Sequence, residues 1–161
     1  MNNSIFFPKL YSPNPLPMTS TSTKPTTAFW IIGVLALLWN IVGVAMYVMQ
    51  VTMSPETLAA MTPEEQAMYA SMPSWATSAF ALATWGSLLA TILLLMRKKL
   101  AGPIYVASFA ALLVDMYYTL FVSSMLQISG PSGAILPIFI ITIGAYLIFF
   151  SRSAAAKGWL N

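Results

Sequence analysis

The sequence predicts an all-α polytopic membrane protein, a four-transmembrane-helix bundle with both termini in the cytoplasm. Three observations predict it: the chain is too apolar for a water-facing surface, uncharged runs of bilayer length recur, and the few charges sort by sign between the connecting segments. Hydrophobic residues make up 58% of the chain and charged ones 7%, whereas about a quarter of the residues in an ordinary soluble domain are charged. Mean hydropathy is +0.78. In a chain of 161 residues, four crossings of roughly 20 residues consume about half the length. That leaves room for one domain and little else.

Residues 1–27 are rich in Pro, Ser, Thr and Asn, and Ile5-Phe6-Phe7 is their longest apolar run. They are expected to form a disordered cytoplasmic tail rather than a signal peptide. Met18 offers a second start, so the native chain begins at Met1 or at Met18. The first span, 28–51, is uncharged and carries Trp30 near its entrance, where an indole favours the interface. The second, 76–96, follows Pro73, Ser74 and Trp75 and is ended by Arg97, Lys98 and Lys99, cations that complement the negative end of the helix dipole. The third, 101–125, has Pro103 in its first turn, where the missing donor costs least. The fourth, 134–151, follows the turn residues Gly130, Pro131, Ser132 and Gly133, and residues 152–161 form a second cytoplasmic tail.

Orientation follows from the basic residues. Lys9, Lys24, Arg97, Lys98, Lys99, Arg152 and Lys157 all fall on one side of a four-span arrangement, and the opposite loops hold Glu56, Glu64 and Glu65. The positive-inside rule puts the basic side in the cytoplasm of a cell whose inner, or plasma, membrane the chain crosses. The exterior loop 52–75 carries two helix starts. Ser54-Pro55-Glu56 reads as N-cap, N1 and N2, and Thr62-Pro63-Glu64-Glu65 as a capping box. With Leu58, Met61, Met68, Tyr69 and Met72 as an apolar stripe, the loop is expected to form one or two short helices on the membrane surface, a lid on the bundle rather than a gate.

Cysteine and histidine are both absent, which removes disulfides, thiolate chemistry and the usual zinc, copper and haem ligation. No cofactor or metal is expected. The methionines lack the ligand spacing of a copper site and read as apolar filler. The basic residues mark membrane boundaries rather than one polar face, so a nucleic-acid partner is not expected. No phosphate loop, serine elbow or paired-carboxylate site occurs, and the chain does not read as an enzyme.

One ionisable residue lies inside a span. An intramembrane carboxylate is a functional-site hypothesis by default, because it costs several kcal/mol unless paired, hydrated or protonated. On a 1.5 Å rise, Asp115 lies about 21 Å into its span and Asn40 about 18 Å into a span running the same way. With Trp39 and Trp85 near mid-span, and Tyr118 one turn beyond Asp115, these residues are expected to share an intramembrane polar layer. Gly33, Ala36, Asn40, Gly43 and Tyr47 share one helix face, as do Ser108, Ala111, Asp115, Tyr118 and Val122, and Ala79, Ala83, Gly86 and Ala90 make a small-residue stripe. Two readings of Asp115 stand: it locks a helix or oligomer contact, or it lies on a transport pathway.

The stretch Phe29 to Asn40, the segment Met61-Thr-Pro-Glu-Glu-Gln-Ala-Met-Tyr69 with Pro73 and Trp75, and Asp115 resemble a bacterial family of small four-helix membrane proteins commonly labelled sugar transporters. The resemblance covers nearly everything after Lys24 and implies transport. The chain departs from the semi-SWEET sugar transporters in having four spans and no Pro-Gln signature, and it is similar to DoxX-type proteins only in general build. The function expected is transport of a small solute, such as a sugar, by a homo-oligomer in the lipid bilayer. Trp39 and Trp85 would stack on a sugar ring while Asn40 and Asp115 bond its hydroxyls. The alternative is a non-transporting accessory or scaffold subunit.

Overall fold

The structure, a computed structural model, describes residues 24–161. The expected disordered tail therefore lies almost wholly outside the described residues, as does the choice between Met1 and Met18. Among the described residues there is no strand. The long helices are α1 (Thr27–Val51), α4 (Ser74–Leu95), α5 (Ala101–Tyr117) and α7 (Ile135–Ala156), with short helices α2 (Pro55–Ala59), α3 (Pro63–Ala70) and α6 (Met125–Ser129) between them. A π-helical segment, Tyr118–Val122, extends α5, and a 3-10 turn, Pro131–Ala134, leads into α7. Four helical stretches are long and apolar enough to cross a bilayer, which makes the chain a multi-pass membrane protein. The apolar side chains that α1 and α7 turn outward, such as Leu35, Met49, Ile135 and Phe149, suit contact with lipid tails.

The third and fourth stretches differ from the expected spans. α5 gives way at Tyr118 to wider turns, in which the Ser123 N–H donates to the Tyr118 carbonyl (2.8 Å). The chain then turns before α6, short of the expected end at residue 125. α7 continues past Ser151 to Ala156. Arg152 is exposed on its surface, so a single cation at a helix end did not stop the helix.

In the connection between α1 and α4, Ser54 Oγ accepts from the Thr57 N–H (3.2 Å). Thr62 Oγ1 accepts from the Glu65 N–H (3.3 Å), and Glu65 Oε2 accepts in return from the Thr62 N–H (2.9 Å). The Glu56 carboxyl is held below its ordinary 4.5, first by a backbone N–H and then by the Ser54 hydroxyl, against slight desolvation. A depressed folded pKa contributes stability above the unfolded value and loses it as pH falls through the folded one. Amide exchange in α2 is therefore expected to accelerate as pH is lowered below 4.5 once the intrinsic pH dependence is removed; an unchanged protection factor would contradict this.

Neighbouring long helices run antiparallel, and α1, α4, α5 and α7 follow one another around the bundle, α4 packing most extensively against α5. The α4–α5 seam is thin because Gly86 faces Ser108 so closely that a Cβ on Gly86 would lie 3.2 Å from the Ser108 Cβ and nearer still to its hydroxyl. α1 and α7 make no comparable backbone approach and meet through side chains, with Trp39 edge-on to Phe139 (5.7 Å) and Phe29 stacked on Phe150 (5.9 Å).

The basic end of the bundle is closed by two helix termini that interlock. α4 ends with Arg97 in the left-handed region (φ 60°), where its N–H donates to Leu94 O (2.9 Å) and the Lys98 N–H to Leu93 O (2.8 Å). α7 ends in the same way on Gly158 (φ 70°), with the Trp159 N–H donating to Ala154 O (3.0 Å). A glycine meets that conformation without the Cβ penalty, of roughly 1–2 kcal/mol, that Arg97 carries. Arg97 gains a compensating contact, since its Nε donates to Trp159 O (2.7 Å). The Lys99 N–H also donates to Asn161 O (2.9 Å), so the C-terminal segment lies along the α4–α5 turn. Phe29, Leu94, Ala101, Ala154 and Leu160 are buried together beneath it.

Candidate functional site

α1 and α4 keep one register throughout: Gly33 lies against Leu95, Gly43 against Thr84, and the Tyr47 ring edge-on to Phe80 (5.6 Å). Asn40 therefore sits at the level of Ser87 and Leu88. Its Nδ2 donates to Ala36 O (2.8 Å) and to Thr91 Oγ1 (3.0 Å), which uses both amide hydrogens. Thr91 Oγ1 donates to Ser87 O (2.8 Å) and accepts from the Tyr105 hydroxyl (2.7 Å). One threonine hydroxyl thus ties α1, α4 and α5 together, and Thr91 and Tyr105 are fully buried. Thr91→Val is expected to cost about 1 kcal/mol, since interhelical hydrogen bonds in membranes average less than 2 kcal/mol. A thermal unfolding midpoint equal to wild type would contradict it.

Asp115 belongs to a different level. Ser108 to Asp115 on α5 and Gly86 to Ala79 on α4 are equal steps in opposite directions from the Gly86–Ser108 contact, so Asp115 faces Ala79 and is level with Tyr47 and Phe80. That is seven residues from the Asn40 level, roughly 10 Å on a 1.5 Å rise. The single polar layer expected from counting residues does not assemble. Counting took the first residue of each span as a common origin, whereas α1 begins lower in the bundle, with Phe29 against Trp159 (5.8 Å). Asp115 is 8% exposed, and among the described residues its carboxyl has no hydrogen-bond or ion-pair partner. The π-helical segment starts three residues beyond it.

The remaining expected residues separate likewise. Trp85 is 50% exposed on the outer face of α4, because Ala83, Gly86 and Ala90 take the inward face. Tyr118 is buried against Trp75, edge to face at 5.5 Å, and does not reach Asn40. Trp39 alone joins Asn40 around a chamber that is partly open to the outside.

That chamber, of about 270 Å³, lies between α1, α4, α5 and α7 and is lined by Trp39, Asn40, Val42, Gly43, Met46, Phe80, Ala83, Thr84, Ser87, Leu112, Met116, Leu136, Ile140, Ile143, Gly144 and Leu147; its open side is marked by Val42, Met46 and Leu136, which are more than half exposed. Asp115 is not in its wall, though its neighbour Met116 is. The space exists because Gly43 leaves room beside α4, where a Cβ would meet only Thr84 Cγ2 at 3.7 Å, and because α1 and α7 do not close on each other; Gly144, by contrast, packs tightly against Phe109 and Leu112 of α5. A shallower groove on the α1–α7 seam, lined by Ile32, Leu35, Ala36, Trp39, Ile143, Tyr146 and Leu147, shares Trp39, Ile143 and Leu147 with it. Polar groups among the wall residues are those of Asn40, Thr84 and Ser87 and the indole N–H of Trp39. Among the described residues no three His, Cys, Asp or Glu side chains cluster as a metal site would require.

Tyr105 was absent from the sequence-based candidates. The Ser108–Asp115 face, continued one turn toward the start of α5, arrives at it, and that is the signal that finds it. In comparisons with protein-family models, with curated proteins and with solved structures, the chain matches none.

Proposed function

We propose that this protein is a small-solute carrier of the inner (plasma) membrane, with both termini cytoplasmic, that holds its solute in the chamber around Trp39 and Asn40. The observation that carries this reading is the chamber itself. A concave space of about 270 Å³ with a short polar stretch in an apolar wall has the character of a ligand site. The gathering of Arg97, Lys98, Lys99, Arg152 and Lys157 at one end of the bundle, with Glu56, Glu64 and Glu65 on loops at the other, supports the orientation. One bundle offers little room for two alternating halves, so a homo-oligomer is the natural working unit.

Asp115 favours a second reading, an accessory or scaffold subunit. A carboxyl beside the α4–α5 seam, away from the chamber and without a partner among the described residues, suits a bond to the helix of a partner subunit. Uptake of a panel of labelled small solutes, sugars included, into proteoliposomes separates the two readings. A carrier gives uptake that Gly43→Leu, which fills the chamber, abolishes and that Asp115→Asn leaves largely intact. No uptake of any solute by folded wild-type protein would contradict the carrier reading and favour the scaffold.

A further inference from the structure

We infer that the chamber takes a neutral, hydrocarbon-rich molecule bearing one hydroxyl or carbonyl group, and that this molecule enters sideways from the bilayer through the α1–α7 seam. This rests on the solute-binding reading above and names its substrate class. The chamber wall has no charged side chain, so an ion would lose its hydration with nothing in return. Of its polar groups, the Asn40 amide hydrogens are committed to Ala36 and Thr91, and the Thr84 hydroxyl donates to Phe80 O (2.9 Å). Asn40 Oδ1 and the Ser87 hydroxyl remain as a pair at one level of the bundle, beside the indole N–H of Trp39, to meet a ligand. Such a pair satisfies one hydroxyl or carbonyl; the many hydroxyls of a sugar would be left unpaired in an apolar wall.

Size and access agree with this class. An apolar cavity of about 150 Å³ holds one benzene, so a chamber of about 270 Å³ suits a short chain or a pair of fused rings. The basic end of the bundle is plugged by Phe29, Leu94 and Leu160, all essentially without exposure. The α1–α7 seam is spanned at the chamber by side chains alone: Trp39, Ile143 and Leu147 line both the chamber and the outer groove, and the exposed Val42 and Met46 of α1 and Leu136 of α7 stand in the chamber's open wall.

The test is photo-crosslinking of the full-length protein in nanodiscs with decanol carrying a terminal diazirine, followed by peptide mapping. The expected result is labelling of Leu112, Met116 or Ile140 that unlabelled decanol competes away and that Gly43→Leu removes, while labelling of the lipid-facing Leu82 and Phe149 is not competed. A bifunctional thiol reagent bridging the seam in the double variant Leu35→Cys, Tyr146→Cys is expected to slow chamber labelling several-fold, with no background because the chain has no cysteine. Labelling that the bridge leaves unchanged overturns the sideways entry. Chamber labelling by a diazirine glucose, with none by the decanol, overturns the substrate class and leaves the carrier reading standing. Labelling by a diazirine phospholipid that decanol does not compete makes the occupant a bilayer acyl chain and overturns the proposal. Saturable labelling by none of the three probes sinks the proposal and the carrier reading together.

Discussion

Phe29→Ala is expected to lower the stability of the folded bundle by roughly 3–5 kcal/mol, the range for truncating a large aromatic in a packed core. Phe29 heads the fully buried side chains in size, with no exposed surface. Its ring meets Trp30 edge-on (5.4 Å), stacks on Phe150 (5.9 Å) and meets Trp159 edge-on (5.8 Å). These contacts join the start of α1 to the end of α7 and to the C-terminal segment, so the alanine leaves a cavity where three parts of the chain converge. In a membrane the helices gain little from the hydrophobic effect against lipid tails, and close packing carries more of the association. The loss should be read as a lower thermal midpoint in detergent, accompanied by faster proteolysis after Ala156 as Trp159 and Leu160 are released. A midpoint within about 1 kcal/mol of wild type would mean that this end is far less tightly packed than such a core requires.

Gly86→Leu is expected to have the second large effect, a loss of roughly 3 kcal/mol from overpacking. A first side-chain atom at position 86 already crowds the Ser108 hydroxyl and Cβ, and the Ser108 hydroxyl is itself held by Ile104 O (2.8 Å). A leucine can be accommodated only by separating α4 from α5, and that separation would also strain the Thr91–Tyr105 hydrogen bond. Leucine has a higher helix propensity than glycine, by several tenths of a kcal/mol, so any loss of stability is a property of the packing rather than of the helix.

Much of this architecture was legible in the sequence because it depends on local properties. Uncharged runs located α1 and α4 within a few residues, and the small-residue stripe Ala79–Ala83–Gly86–Ala90 anticipated the face on which α4 meets its neighbours. The end of the third stretch was not legible: nothing in Tyr118–Val122 announces a π-helical segment, which arises from how α5 meets the turn before α6. The end of α7 was not legible either: its helix runs past Arg152 to Ala156, because a long cation on an exposed face can snorkel without interrupting a helix. The candidate site was half legible. Composition singled out Asn40, Asp115, Trp39, Trp85 and Tyr118, but grouping them required the relative heights of the helices. Those heights are set by tertiary contacts such as Phe29 with Trp159 and Gly33 with Leu95, which no count along one span contains.

The proposed carrier role depends on a real space between α1 and the other long helices, and the measurement that bears on it most directly compares one substitution at two glycines. Thermal unfolding of Gly43→Leu and Gly86→Leu in the same detergent sets a chamber wall against a packed seam. A Cβ on Gly43 would find only Thr84 Cγ2 at 3.7 Å, an ordinary contact, with the chamber beyond it. The expected result is that Gly43→Leu unfolds at or above the wild-type temperature while Gly86→Leu unfolds well below it. A fall in Gly43→Leu as large as that in Gly86→Leu would show that α1 is packed solidly there, and the chamber would be withdrawn along with the function proposed for it.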